Sequence, residues 1–165
     1  MDRSLDSLSS DLKPVAIEIL ARLIESGMPC QIVQTGRTWE EHQTNLSAGT
    51  SRVARSKHLP RRLRGIVAGT ADDDKADAID LCPWDVYNLN GPDKLAWSAH
   101  ATTASEEAFR LIRDLGEGFG LRSGWRWQNP HDPGHLEWLF AQERYLDIPR
   151  SSAAWVAHGR HERVS

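Results

Sequence analysis

Residues 129–140 read NPHDPGHLEWLF and place two histidines, an aspartate and a glutamate within seven positions. The spacing of His131 and His135 would suit the HExxH zinc motif, in which both histidines lie on one helical face. Two prolines and a glycine oppose a helix there, and an aspartate follows the first histidine where the motif has glutamate. The stretch therefore predicts a turn that leads into the strand HLEWLF and brings Asp132 and His135 into the same small volume.

In a second stretch, ADAIDLC at residues 76–82, large apolar residues alternate with small or acidic ones. The alternation predicts a strand with Ile79 and Leu81 in the core and with Ala78 and Asp80 on the other face. A carboxylate flanked by two core residues needs a partner to offset its desolvation. Asp80 is therefore a candidate metal ligand, and pairing with an arginine or simple exposure are the alternatives.

A catalytic zinc site needs more ligands than the turn alone supplies. Such an ion usually takes three protein ligands and leaves a fourth position for water. If Asp132 were also a strong ligand, it would close that position. We therefore interpret Asp132 as a catalytic carboxylate and not as a metal ligand. The best further donors are His58, in RSKHLP, and Asp80. Each is singly more often a surface or core residue than a ligand, so the prediction depends on their occurring together.

The remaining chain alternates helices with short strands. Apolar spacing predicts a first helix over residues 11–26. A capping box at 38–41 predicts a second helix that runs to about residue 49. A third helix is predicted over about residues 105–115, where three glycines follow. CQIVQTG at 30–36 and LRSGWRWQ at 121–128 are predicted strands. The mixture predicts an α+β fold with a small antiparallel sheet flanked by helices.

Length and composition predict one domain. A chain of 165 residues that is 39% hydrophobic can bury one substantial core, assigned here to residues 1–150 and followed by a polar tail at 151–165. Without an export signal we expect a reducing compartment, so Cys30 and Cys82 are interpreted as buried thiols. Zinc ligation by Cys82 is a lesser alternative.

Charge and hydropathy restrict the partners. With 20 basic and 23 acidic residues there is no overall electrostatic reason for nucleic-acid binding, whose only support is RRLR at 61–64 and the basic tail. Neither a secretory signal nor an apolar run of about 20 residues is present. We therefore expect a monomer without stable membrane association that is made in the cytoplasm.

Four separated blocks resemble a known family in content and order. They are SKH at 56–58, AIDL at 78–81, GLRSGWRW at 120–127 and DPGHLE at 132–137. Together they resemble the zinc peptidases that include D-alanyl-D-alanine carboxypeptidases, vancomycin-resistance-type D,D-dipeptidases and the L-alanyl-D-glutamate endopeptidases of phage endolysins. TGRTWEEHQ at 35–43 resembles that family's segment of a strand followed by an arginine. The resemblance covers about residues 10–140.

The resemblance implies a fold of the hedgehog and D,D-peptidase type and a complete zinc site. It implies that His58, Asp80 and His135 hold zinc and that Asp132 is the catalytic base. It also implies that Arg37 holds the substrate or polarises its carbonyl, although an ordinary surface salt bridge is the alternative.

Two further residues have candidate roles beside this set. Glu137 lies two positions beyond His135, so on a strand it points to the same side and would orient a ligand as a hydrogen-bond acceptor, unless it is only a paired strand acid. Ser56 would contact the substrate or start a turn.

The sequence departs from the family pattern in two places. His58 and Asp80 are 22 positions apart, where the family usually has only a handful of residues. An insertion at a hairpin tip over about residues 60–75 would explain this, with ADDD at 71–74 as a solvated loop paired with the arginines of RRLR. Gln43 stands one place later than the family's glutamine, behind His42, so neither is assigned a role.

The sequence thus predicts a zinc-dependent peptidoglycan peptidase, with an endolysin-type L-alanyl-D-glutamate endopeptidase as the leading hypothesis. It would act on the stem peptide after release to the cell wall. A D-alanyl-D-alanine carboxypeptidase or dipeptidase using the same residues is the first alternative. A non-catalytic module that binds cell-wall peptide is another, disfavoured because a binder needs no base such as Asp132.

Overall fold

The computed structural model describes residues 1–51, 53–84, 95–96, 98–100, 102–128 and 131–139. Its helices are α1 (Leu12–Glu25), α2 (Trp39–Ser47) and α3 (Thr103–Gly118), and its strands are β1 (Cys30–Gln34), β2 (Ala78–Pro83), β3 (Arg122–Ser123) and β4 (His135–Glu137). The strands form one antiparallel sheet in the order β1-β2-β4-β3. The predicted α+β class with a small antiparallel sheet is confirmed.

The core lies between α1, α3 and one face of the sheet. Helix α1 buries Leu12, Ile19 and Leu23 along one stripe, as the apolar spacing of residues 11–26 predicts. On the central strand β2, Ile79 and Leu81 are both buried in this core. The alternation of ADAIDLC thus turns Asp80 towards the opposite face of the sheet, where it is half-buried.

Helix α2 begins at the predicted capping box. The Glu41 amide donates to Thr38 Oγ1 at 3.1 Å, and the Thr38 amide donates to Glu41 Oε2 at 3.0 Å. Two amides that lack partners within the helix are thereby satisfied. The box fixes the point where the chain leaves Arg37 and enters the helix.

Helix α3 is longer than predicted because two of the glycines lie inside it. The helix spans Thr103–Gly118 rather than ending near residue 115. A Cβ on Gly116 would lie 2.4 Å from Leu136 Cδ2. This glycine therefore permits close packing of α3 on β4 and does not end the helix.

The predicted strand at residues 121–128 is mostly wrong. Only Arg122–Ser123 pairs as β3, and Gly124–Arg126 forms a 3-10 turn. A Cβ on Gly124 would lie 2.3 Å from the Asp132 carbonyl oxygen, so the turn packs directly against the segment that carries Asp132. The strand stops because the chain turns to support that segment. Strand β4 falls within the predicted HLEWLF.

The predicted insertion at residues 60–75 is folded rather than a solvated loop. It contains two 3-10 turns, Arg61–Arg64 and Ala71–Asp74. Asp73 is buried and accepts from the Ala68 and Gly69 amides at 3.0 and 2.9 Å. Local backbone partners thus hold this acid inside the segment.

Buried charge pairs anchor the same segment. Arg61 Nη2 lies 2.8 Å from Asp77 Oδ1, and Arg64 pairs with the other oxygen of Asp77. Pairing of Arg61 with Asp72 and of Arg62 with Asp74 agrees with the prediction. The partner of Arg64 differs, because Asp77 lies outside the ADDD stretch.

The two cysteines form no disulfide. Cys82 is buried and Cys30 is half-buried, and desolvation raises the pKa of the Cys30 thiol to about 12. Within the described parts of the chain, none of the helices is long and apolar enough to span a membrane. The predicted tail at 151–165 lies outside the described residues, so the domain boundary stays a prediction.

Candidate metal centre

Three side chains from separate segments converge on one point at the polar face of the sheet. His58 Nε2 lies 3.2 Å from Asp80 Oδ1 and 3.3 Å from His135 Nδ1, and the last two atoms are 2.8 Å apart. Asp80 and His135 are direct cross-strand partners in the pairing of β2 with β4. The sheet register therefore creates two thirds of the group, and His58 completes it.

Hydrogen bonds orient both imidazoles toward this point. His58 Nδ1 lies 2.8 Å from the Thr35 carbonyl oxygen, to which only a protonated nitrogen can donate. Likewise, a protonated His135 Nε2 would donate to Glu137 Oε2, which lies 3.0 Å away. When each ring is neutral with its proton so placed, His58 Nε2 and His135 Nδ1 present lone pairs toward Asp80, as ligation of a metal ion requires.

The donor set fits a divalent metal ion. Zinc bound by nitrogen and oxygen at about 2.0–2.2 Å in a tetrahedral arrangement has ligand atoms roughly 3.3 Å apart. The three observed separations, 2.8 to 3.3 Å, lie at or somewhat below that value. Two histidines and one carboxylate are also the number of protein ligands that leaves a coordination position open. Among the described residues, the group of possible ligands contains His58, Asp80 and His135, and Cys82 is outside it.

The electrostatics of the group are those of a cation site. Burial alone would raise the pKa of Asp80, but the charges and hydrogen bonds of His58 and His135 lower it. Burial would lower the pKa of His135, but Asp80 and Glu137 raise it to about 10. Two carboxylates thus stabilise positive charge at this largely desolvated point, which also favours a bound metal ion.

Asp132 lies in the same cleft but outside the ligand group. Its segment is fixed from both sides, since the Asp132 amide donates to the Gly124 carbonyl at 3.3 Å and the His135 amide donates to the Asp132 carbonyl at 3.2 Å. Desolvation raises the pKa of the Asp132 carboxyl, assisted by Asp80 and opposed by His135. A half-buried carboxylate with a raised pKa beside a candidate metal site is suited to exchanging protons.

Arg37 also faces the cleft. Its Nη2 donates to Gln34 Oε1 at 2.5 Å, and its buried Nε has no partner among the described residues. Burial lowers the pKa of Arg37, whereas the charges of Asp80, Glu41 and Asp132 raise it. The described hydrogen-bond partner is thus an amide rather than the surface carboxylate of the alternative interpretation.

Glu137 connects His135 to the third strand. One of its oxygens accepts from His135, and the other accepts from Arg122 Nε at 2.6 Å. Arg122 stands opposite Glu137 in the pairing of β3 with β4 and also lies over the Trp127 ring, 5.4 Å from its centroid. Sequence reasoning missed Arg122, because the signal appears only once β3 is known to pair with β4.

The group of possible ligands, His58, Asp80 and His135, lies in a cleft of about 140 Å³. Its wall includes Ser56, whose Oγ lies 3.4 Å from the His58 amide nitrogen. The charged side chains of the wall are Arg37, Arg55, Lys57, Arg122, Asp80, Asp132 and Glu137. Sequence reasoning did not single out Arg55 or Lys57 either.

A smaller hollow of about 110 Å³ shares Asp80 and Asp132 with this cleft. Its remaining wall is mainly apolar and includes Val33, Leu81 and Phe109. The two acids therefore stand between a cationic wall and an apolar one.

His131, the other histidine of the opening stretch, is directed elsewhere. Its ring stacks on His100 at a centroid distance of 5.9 Å and an angle of 8°, and its edge contacts Trp125 at 5.5 Å. The residues at 133–134 form the predicted turn. The rejection of an HExxH arrangement is thereby confirmed. His42 is buried with its Nε2 3.1 Å from the Ala54 carbonyl oxygen, and Gln43 is exposed away from the cleft wall.

Comparison with protein-family models and with curated protein sequences gives no match. Among solved structures, the L-Ala D-Glu endopeptidase ChiX of Serratia marcescens is similar with a TM-score of 0.55. The match has 18% sequence identity and covers 84% of this chain and 85% of that chain. The likeness shows that the two chains share a fold.

Proposed function

We propose that the protein is a zinc-dependent peptidoglycan peptidase that cleaves the amide bond between L-alanine and D-glutamate in the stem peptide. The observation that carries the proposal is the convergence of His58, Asp80 and His135 beside a half-buried carboxylate, Asp132, in one open cleft. The fold shared with an L-Ala D-Glu endopeptidase supports the same reaction class. The wall peptide would be reached after release from the cytoplasm, where the protein would be made.

The ligand residues would hold zinc, with Thr35 and Glu137 fixing the protonation of the two imidazoles. When bound, zinc polarises an amide carbonyl and lowers the pKa of bound water to about 7. Asp132 would take a proton from the attacking water and return it to the leaving amine, a role that its raised pKa favours. Arg37 would stabilise the developing oxyanion or bind a substrate carboxylate. Ser56, on the cleft wall, would contact the substrate.

The two walls around the acids suit this substrate. The apolar hollow lined by Val33, Leu81 and Phe109 would receive a small side chain such as a methyl group. The cationic wall would receive the acidic residue on the other side of the scissile bond.

A D-alanyl-D-alanine carboxypeptidase is the second candidate. The observation that favours it is the Arg37 guanidinium, whose buried Nε has no partner among the described residues and could bind a terminal carboxylate. Mass spectrometry of muropeptides digested by the zinc-loaded protein separates the two. Release of peptides that begin with D-glutamate supports the endopeptidase, and loss of one terminal D-alanine supports the second candidate. Intact muropeptides would contradict both and favour a binding module.

Replacing the proposed base tests the mechanism. We expect Asp132→Asn to lower kcat by about 10²–10⁴-fold, the usual contribution of a general acid–base group, while one zinc per chain still binds. Asp114→Asn, on the exposed side of α3, is the control and should keep wild-type kcat. Activity within a few-fold of wild type in Asp132→Asn would assign the proton transfer to another group.

A further inference from the structure

Three of the four cationic side chains of the cleft wall already lie near a carboxylate. Arg122 pairs with Glu137, and the positive charge of Lys57 lowers the pKa of Glu137. Arg37 lies near enough to Asp80 and Asp132 for both carboxylates to raise its pKa. Each of these three cations is therefore already associated with an acid of the metal centre.

Arg55 is the exception. Among the residues that the structure describes, no carboxylate forms an ion pair with it, although its side chain is part of the cleft wall. Its Nη1 lies 4.0 Å from the position that a Cβ on Gly65 would take, so the exposed guanidinium lies near the segment at residues 60–75. That segment is itself anchored by the buried pairs of Asp77. A cation that has no ion-pair partner among the described residues thus lies at the edge of the site.

The charge of the wall makes an anion the natural occupant of this edge. The wall carries four cationic and three acidic side chains, apart from the histidines. A bound divalent cation would make it more positive. Because other cations lie on the same wall, an anion bound beside Arg55 would be stabilised. A planar guanidinium can bind a carboxylate through two parallel hydrogen bonds.

We propose that Arg55 is a specificity-determining residue that binds a free carboxylate beside the scissile amide. This inference rests on the proposed peptidase function and adds a substrate class to it. The preferred stem peptide carries the acid form of the residue that follows L-alanine, and its carboxamide form is a poor substrate. Arg37, which lies within electrostatic reach of Asp80 and Asp132, remains available to the reacting carbonyl.

The test compares two synthetic stem peptides that differ only in carboxylate against carboxamide at this residue. We expect the zinc-loaded wild type to cleave the acid with a kcat/KM about tenfold or more above the carboxamide, since a charged hydrogen-bond pair at a partly exposed site contributes on this scale. Arg55→Gln should lower kcat/KM for the acid to the level of the carboxamide and leave the carboxamide within about twofold of wild type. Arg55→Lys should keep part of the preference.

Arg62→Gln is the matched control. Arg62 belongs to the same segment, is exposed, pairs with Asp74 and is absent from the cleft wall, so its replacement should leave the preference unchanged. Thermal unfolding should be the same for all these variants, because Arg55 and Arg62 are both exposed.

Binding of the uncleaved peptides to Asp132→Asn protein gives a readout apart from turnover. The acid should bind about tenfold more tightly than the carboxamide, and adding Arg55→Gln should remove the difference. Equal use of both peptides by wild type, or an equal loss for both in Arg55→Gln, overturns the assignment of Arg55. If neither peptide is cleaved, the proposed function fails, and the binding comparison alone decides the role of Arg55.

Discussion

Glu137 shows how one side chain can orient a proposed metal ligand without itself belonging to the ligand group. Its two oxygens face different partners, His135 on one side and Arg122 on the other. Burial would raise the pKa of Glu137, but the hydrogen bond to His135 and the ion pair with Arg122 lower it to about 2. The carboxylate therefore stays charged and keeps the His135 proton on Nε2, away from the proposed ligand atom.

Glu137→Gln tests this orientation. We expect zinc affinity to fall by about 10–100-fold, the usual effect of removing such a partner, because a neutral amide holds the His135 proton less strongly. Competition with a chromophoric chelator measures the change. Glu106→Gln, which affects only the exposed pair with Arg110 on α3, should leave the affinity unchanged. Equal affinities for wild type and Glu137→Gln would show that Glu137 is only a paired strand acid.

Sequence reasoning identified residues whose chemistry is unusual for their local setting. Asp80 between two core residues and Asp132 beside a proline turn both carry a local signal, His58 was chosen as a further donor, and the resemblance added Arg37. Arg55, Lys57 and Arg122 carry none, because they are ordinary members of a set of 20 basic residues. Their positions depend on strand pairing and on the folded insertion, which are long-range properties.

Among the elements, helix α3 packs closely on strand β4 near the site. Gly116 allows α3 to approach Leu136, which lies between His135 and Glu137 on β4. The apolar side of β4 is thus fixed by a helix while its polar side carries a proposed ligand. Packing on one face of the strand determines the geometry on the other.

Two glycines of one helix give opposite predictions. Gly116→Ala would place its Cβ 2.4 Å from Leu136 Cδ2, so we expect a loss of about 1–3 kcal/mol in the free energy of unfolding from overpacking. Gly118→Ala meets nothing within 4 Å and should gain up to about 1 kcal/mol from helix propensity. Urea denaturation measures both. Equal effects of the two substitutions would contradict the close contact of α3 with β4.

The elements that could be predicted are those with local signals. The apolar stripe of α1, the capping box of α2 and the alternation of β2 each follow from neighbouring residues. The end of α3 and the extent of β3 could not be predicted from neighbouring residues. Gly116 and Gly124 are there because each packs against a residue distant in the sequence, Leu136 and Asp132 respectively.

In the molecule as a whole, the segment at residues 60–75 links the N-terminal region to the site. The Ser10 amide donates to Asp72 at 3.0 Å, and Lys75 donates to the Asp6 carbonyl at 2.6 Å. The Asp77 amide then donates to the Lys57 carbonyl at 2.9 Å, next to His58. An insertion that sequence reasoning assigned to solvent is thus part of the framework around a proposed ligand.

Asp77 is the centre of this framework. Asp77→Asn removes a fully buried charge that contacts two buried arginines, so we expect a loss of about 3 kcal/mol or more in the free energy of unfolding. Asp74→Asn, which affects an exposed pair in the same segment, should change it by less than about 0.5 kcal/mol. Similar urea midpoints for the two variants would mean that the buried pairs do not anchor the segment.

The most direct test of the metal centre is the anomalous diffraction of crystals grown with zinc. We predict one zinc peak per chain, about 2.0–2.2 Å from His58 Nε2, Asp80 Oδ1 and His135 Nδ1 together. A well-occupied peak at other side chains, or no peak at this point under saturating zinc, would contradict the metal centre and the hydrolytic function proposed from it.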